Sequence, residues 1–166
     1  MKKDQIIMLV PQKDILHDDP GFKDLYPIGT VVRVKQILKS QGENVRILVS
    51  GLHRARLLSM NRTEPFLYGE VEAVEDSIWT KNPHTVALGR EACNLFSAYL
   101  DYVEKPAQNV MLQLMATDDC SLISDIIAQN SAIDYRDKAK LLCQLNPIRR
   151  LEKLITLLNK EVLILQ

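Results

Sequence analysis

The hydrophobic period of this chain changes once, at Lys81-Asn82-Pro83. Before that point apolar residues come in short runs or at every second position, the spacing of strands. After it they recur at threes and fours, the spacing of helices. A strand-rich stretch followed by a helix-rich one predicts an α+β chain rather than an alternating α/β one. The expected division is residues 1–80, a small β half, and residues 81–166, a helical half.

Within the β half, Ile6-Ile7-Met8-Leu9-Val10 is an unbroken apolar run closed by Pro11, the pattern of a strand buried on both faces. A loop rich in Asp, Pro and Gly follows, LHDDPGFKDLYPIG. Val31 to Leu38 and Val45 to Val49 predict two strands of a hairpin. Ser40 to Asn44 supplies the Gly and Asn that its turn needs for positive φ. Gly51 predicts a bulge or bend before Leu52 to Leu58. Phe66 to Val74 reads as one strand, with Leu67, Gly69, Val71 and Ala73 on one face and Phe66, Tyr68, Glu70 and Glu72 on the other. Several short, bent strands predict a curled, barrel-like antiparallel sheet.

The helical half predicts five helices. The first covers His84 to Val103 and the second Ala107 to Ala116. Thr117-Asp118-Asp119 offers N-caps for the third, whose core stripe is Leu122, Ile123, Ile126 and Ile127. Asp134 caps the fourth, and Asn146-Pro147 opens the last as cap and first helical residue. There Leu151, Ile155, Leu158, Val162 and Leu165 trace a heptad seam. The pattern reaches Gln166 without a stop signal, so the expectation is a fragment whose last helix runs on between domains.

Composition removes several function classes. Lys+Arg and Asp+Glu are both 21, so the formal charge is zero, whereas nucleic-acid binders carry a basic excess that neutralises phosphate. Cys93, Cys120 and Cys143 are isolated from one another and from His17, His53 and His84, which leaves no ligand spacing for zinc and no disulfide framework. Unpaired thiols predict a reducing compartment, hence the cytoplasm. No apolar run approaches the roughly 20 residues that span a bilayer. The phosphate loop, the H-E-x-x-H helix and the G-x-S-x-G elbow are all missing. Ser50 and His53 stand at an odd separation on a strand and so face opposite sides, which disfavours a dyad. The pattern is that of a non-catalytic chain.

Ordered motifs in the β half are more specific. Asp19-Pro20-Gly21, Leu25-Tyr26, Gly29-Thr30-Val31 and Val49-Ser50-Gly51-Leu52-His53-Arg54-Ala55-Arg56 occur in that order. With Met8 to Asp14 before them and Arg149 to Gln166 after, they resemble the amino-terminal domain of the ATP-dependent Lon protease family. The resemblance implies a PUA-like sheet followed by a helical bundle that leads towards a coiled coil. It also implies a strand and helix upstream of Met8, whose lack here predicts an exposed sheet edge.

The function implied is recognition of unfolded or degron-bearing proteins in quality control and stress response. The parent would be a homo-hexameric, ATP-dependent serine endopeptidase with a Ser/Lys pair. ATP and Mg2+ would belong to its ATPase module, leaving no cofactor, metal or catalytic residue in this stretch. The alternatives are a nucleic-acid-binding PUA-like module and a stand-alone adaptor with only this domain.

The candidate client contacts are Phe66 and Tyr68, as an aromatic patch, and His53, Arg54 and Arg56, as polar contacts on a neighbouring strand. The competing reading has the helical half pack over the two rings and makes the arginines snorkelling edge residues. Met8, Met60, Met111 and Met115 could give adaptable contacts, although the i,i+4 spacing of Met111 and Met115 reads as core.

Overall fold

Turn chemistry and alternation sort the described residues of the first part of the chain into two long strands and four short ones: β1 (Ile6–Leu9), β2 (Ile28–Leu38), β3 (Arg46–Leu57), β4 (Asn61–Thr63), β5 (Phe66–Tyr68) and β6 (Val71–Ala73). The computed structural model describes residues 5–38, 46–63, 66–103 and 108–166. They form two compact units, residues 1–75 and 76–166. The predicted turn at Ser40–Asn44 lies outside the described residues.

In the first unit, β1, β2, β3 and β6 make one antiparallel sheet in that order, and β4 pairs with β5 in a second, two-stranded one. The register of β2 against β3 slips between Val31 and Val32. Val31 faces His53 and Val32 faces Gly51, so Leu52 is the extra residue of a bulge beside the predicted glycine. Ile28, Val31, Val32 and Ala55 are the buried apolar anchors of this sheet.

Two strand expectations are corrected. The apolar run at Ile6 is not buried on both faces. Among the described residues β1 is an edge strand bonded to β2 alone, and three of its four residues are exposed. An all-apolar run has no face period, so burial was inferred from composition alone. Phe66 to Val74 is not one strand either, because it breaks at Gly69-Glu70 into β5 and β6, which belong to different sheets. At Gly69 the chain crosses Ser59 so closely that a Cβ there would lie 2.0 Å from the Ser59 carbonyl oxygen. The aromatic pair and Glu70/Glu72 therefore do not share a face.

The second unit holds α1 (Pro83–Leu100), α2 (Gln108–Met115), α3 (Cys120–Gln129), α4 (Tyr135–Cys143) and α5 (Pro147–Leu165). Residues 76–80, which the sequence reading assigns to the β half, join this unit. The Ser77 amide donates to the Leu145 carbonyl at 2.8 Å, and Trp79 packs on the helical core.

Each helix start has a local cause. Asn82 and Thr85 cap α1 reciprocally, amide to side chain, at 3.0 Å each way. Asp119, Asp134 and Asn146 accept from the first-turn amides of α3, α4 and α5. The core is Phe96 and Tyr99 of α1, Leu114 of α2, Ile123 and Ile127 of α3, and Leu151, Leu154 and Leu158 of α5. Phe96 and Tyr99 stack with ring centroids 5.9 Å apart, and the Tyr99 hydroxyl accepts from the Ala132 amide at 2.9 Å.

The heptad seam of α5 has an occupant within the unit. Leu151, Ile155, Leu158 and Val162 are all buried in the bundle, and only Leu165 is exposed. Those four positions are core rather than an inter-domain stripe, because the same 3.5-residue period serves a helix against its own neighbours.

Candidate functional site

β1, β5 and the ends of β3 and β6 enclose an apolar groove in the first unit, about 660 Å³ in volume. One wall is Ile6, Ile7, Met8 and Val10, and the facing wall is Phe66, Leu67 and Tyr68. Val31, Leu57, Met60 and Val71 contribute the floor and sides. Among the lining residues only Gln12 and Tyr68 carry a polar side chain, and none carries a charge. Phe66 is 68% exposed, Leu67 52% and Tyr68 51%. Exposed large apolar side chains gathered around a concavity mark an interaction surface rather than scattered surface residues.

Backbone geometry shapes both walls. At Gly29 a Cβ would lie 2.3 Å from the Leu9 carbonyl oxygen, so a bare residue lets β2 approach β1 this closely. Gly69 does the same for the crossing beside Tyr68.

The five predicted contact residues separate into two groups. Phe66 and Tyr68 line the groove; His53, Arg54 and Arg56 do not. On β3, Leu57 points into the groove, so alternation sends Arg54 and Arg56 to the opposite face. There Arg56 sits directly across from Glu72, Nη1 to Oε2 3.9 Å, as an exposed cross-strand ion pair. His53 is exposed, and its Nδ1 lies 3.0 Å from the Arg54 carbonyl oxygen.

Met8 and Met60 line the groove, as adaptable contacts would. Leu57, Leu67 and Val71 were missed, since no local pattern connects β3, β5 and β6 across the groove.

A second cavity, about 450 Å³, lies in the helical unit against α1 and α2. Met111 and Met115 both line it, and Met115 is 80% exposed, so it is not core as its spacing suggested. Lys81 and Asp118 meet at its rim as an ion pair that holds the Asp118 carboxyl below the usual carboxylate range. Asp118 is therefore an ion-pair partner, and Asp119 alone caps α3. Burial pushes the Cys93 thiol up, and burial followed by the nearby Asp119 charge does the same for Cys120. Neither thiol is tuned for nucleophilic work.

Sequence reasoning also passed over Arg150, which is 1% exposed inside the helical unit. Its guanidinium holds Asp76 through Nη1–Oδ1 at 2.9 Å and Nη2–Oδ2 at 2.6 Å. Its other donors reach Ser124 Oγ at 2.9 Å, Ser121 Oγ at 2.7 Å and the Gln144 carbonyl at 2.7 Å. All five N–H groups are satisfied, which marks a structural clamp rather than a waiting site. Among the described residues no cluster of His, Cys, Asp or Glu could hold a metal, and no helix is long and apolar enough to cross a membrane.

Comparison with known proteins bears directly on this groove-bearing sheet and its bundle. The chain is 34% identical to the Lon protease of Heliobacterium modesticaldum and 32% identical to that of Escherichia coli, in both cases over its whole length. It spans only about a fifth of those relatives, 20% and 21%. Its fold matches the N-terminal domain of the Mycobacterium avium complex Lon protease with a TM-score of 0.68 at 18% identity, covering 94% of this chain and 90% of that one. The Lon N-terminal domain protein of Xanthomonas campestris gives a TM-score of 0.55 at 19% identity, over 92% and 89%. The family model for the ATP-dependent protease La (LON) substrate-binding domain matches residues 1–160, and the chain belongs to that family.

Proposed function

We propose that this chain recognises unfolded or degron-bearing proteins for an ATP-dependent Lon-type serine protease, and that the groove of the β unit is where they bind. The observation that carries this reading is the exposure of Phe66, Leu67 and Tyr68 along an uncharged concavity. Unfolded chains differ from folded ones in offering contiguous apolar side chains, and an uncharged groove rewards that feature without reading a particular sequence. The parent enzyme, on this proposal, is a cytoplasmic homo-hexamer serving quality control and stress response. Its Ser/Lys peptidase and Mg·ATP chemistry reside in other modules, reached through a coiled coil.

The test is binding of the 166-residue chain to a permanently unfolded protein, reduced and carboxymethylated α-lactalbumin, beside its native form. The unfolded form should bind more tightly. Phe66→Ala/Tyr68→Ala should weaken that binding at least about tenfold, as expected when two anchor rings are truncated. Equal binding of unfolded and native protein would end the recognition reading. Undiminished binding by the double variant would remove the groove from it.

A further inference from the structure

The cavity of the helical unit has a divided lining. Its apolar side comes from Met111, Leu114 and Met115 of α2, Cys93 of α1 and Ile123 of α3. Most of its polar side is already engaged. Lys81 and Asp118 are spent on each other. The Thr85 hydroxyl donates to the Asn82 carbonyl and accepts from the Asn82 amide, 3.0 Å in each case. The Thr117 hydroxyl accepts from the Asp119 amide at 3.1 Å. Arg90 and Asn94 are left. They stand four apart on α1, so their side chains are neighbours on one helix face. Both are exposed, and among the described residues neither side chain has a hydrogen bond or an ion pair.

Two unspent donor groups beside an apolar hollow define what fits. A guanidinium only donates, and its fork matches the two oxygens of a carboxylate. Lys81 and Arg90 against Asp118 leave the lining with one uncompensated positive charge. We propose that this cavity docks a polypeptide segment in which a large apolar residue adjoins an Asp or Glu. The apolar side chain rests on Met111, Leu114 and Met115, and the carboxylate meets Arg90 and Asn94. Charge complementarity selects this occupant, because a basic segment would be repelled and a neutral one would leave Arg90 as it is. The two methionines, one turn apart on α2, adjust to apolar side chains of different shape, so a class of segment is read and not one sequence. A free fatty acid offers the same two groups but fits less well. Met115 is 80% exposed, so the cavity lies open along α2 and would leave much of an alkyl tail in water. The site is separate from the uncharged groove of the β unit and does not depend on that groove's role.

The experiment titrates the 166-residue chain with an end-blocked peptide, Ser-Leu-Glu-Phe-Asp-Ser, and with its amide twin, Ser-Leu-Gln-Phe-Asn-Ser. The methionine methyl groups, labelled with carbon-13, report the place of binding by NMR. The acidic peptide should shift the Met111 and Met115 signals and leave Met8 and Met60, which line the β groove, where they were. The amide twin should bind about tenfold more weakly, the effect of losing a charge-assisted hydrogen bond. Arg90→Gln should weaken the acidic peptide by about the same factor and remove the preference between the twins. Its urea midpoint should not move, since that side chain is exposed and unpaired. Met115→Ala should weaken both peptides alike, and Phe66→Ala/Tyr68→Ala should change neither by more than about twofold.

Equal binding of the twins to the unsubstituted chain, or full binding of the acidic peptide by Arg90→Gln, would overturn the carboxylate contact and the proposal with it. Shifts at Met8 and Met60 in place of Met111 and Met115 would overturn it by moving the peptide to the β groove. Dodecanoate that displaces the peptide and binds more tightly, with the same dependence on Arg90, would overturn it by giving the cavity to an amphiphile. None of these results touches the preference for unfolded α-lactalbumin, which tests the β groove alone.

Discussion

Arg150 and Asp76 stand 74 residues apart in sequence and meet as a fork-to-fork pair inside the helical unit, their two bonds 2.9 and 2.6 Å long. The pair joins the first residue of that unit to the first turn of its last helix. Asp125 also approaches the guanidinium, Oδ1 to Nε 3.7 Å, but it is 43% exposed, so removing Asp76 takes away the closer counterion of a buried charge. Asp76→Ala should therefore lower unfolding stability by about 3–5 kcal/mol, read as a shift in the urea midpoint at unchanged slope. Adding Arg150→Met should recover much of the loss, since the uncompensated charge is then gone. A midpoint that does not move in Asp76→Ala would mean that Asp125, Ser121, Ser124 and the Gln144 carbonyl suffice to hold the guanidinium.

The Lys81–Asp118 pair gives stability a definite pH sign. Lys81 lowers the Asp118 carboxyl below its ordinary value, so the folded chain keeps that group charged where the unfolded chain has begun to take up a proton. The stabilisation is fully present above the ordinary carboxylate range. It fades as pH falls through that range towards the depressed folded value. Wild type and Lys81→Met should then differ in urea midpoint at neutral pH and converge in acid. Both side chains are exposed, so added salt should shrink the difference at neutral pH.

Thiol reactivity should rank by burial. Cys120 is 1% exposed, its Sγ lies 3.7 Å from the Thr85 carbonyl oxygen, and its thiol is pushed upward. Iodoacetamide should label it only as fast as the bundle opens. Cys93 is partly accessible with a raised thiol, so its labelling should be slow near neutrality and accelerate with rising pH. Mass spectrometry of timed samples reads both rates. Labelling of Cys120 at the rate of the denatured chain would contradict its placement.

Gly69→Ala tests the crossing that separates β5 from β6. The added methyl would meet the Ser59 carbonyl at 2.0 Å, backbone against backbone, and no side-chain movement relieves it. The substitution should cost more than about 1 kcal/mol and displace the Phe66–Tyr68 wall. Binding of unfolded protein should fall with it, as measured by titration at a temperature where the variant is still folded. Unchanged stability would show that the two segments are not in contact there.

Legibility in the sequence followed the range of the interaction. Asp119, Asp134 and Asn146 were identified as caps because a cap is a relation among residues two or three apart, and Pro147 at a first helical position is equally local. The bulge at Leu52 was signalled by Gly51 for the same reason. Long-range relations left no such trace. β1 was mistaken for a central strand because four apolar residues look alike at an edge and in a core. The Phe66–Val74 run was joined into one strand because the partner that breaks it, Ser59, lies outside its own alternation. Met115 read as core on spacing, yet α2 leaves it open over a cavity. Of the candidate contacts, the aromatic pair was placed on the groove while the arginines were not. The alternation of β3 separates Arg54 and Arg56 from Leu57 only once it is known which face the groove occupies.

The clamp between Asp76 and Arg150 also determines how the helical unit would take mechanical load. Tension arriving along the backbone at Glu75 reaches Asp76 and passes through the side-chain fork into α5 before it can peel α1 from the bundle. The four intervening helices are thus shunted out of the line of force, and the longest helix carries it.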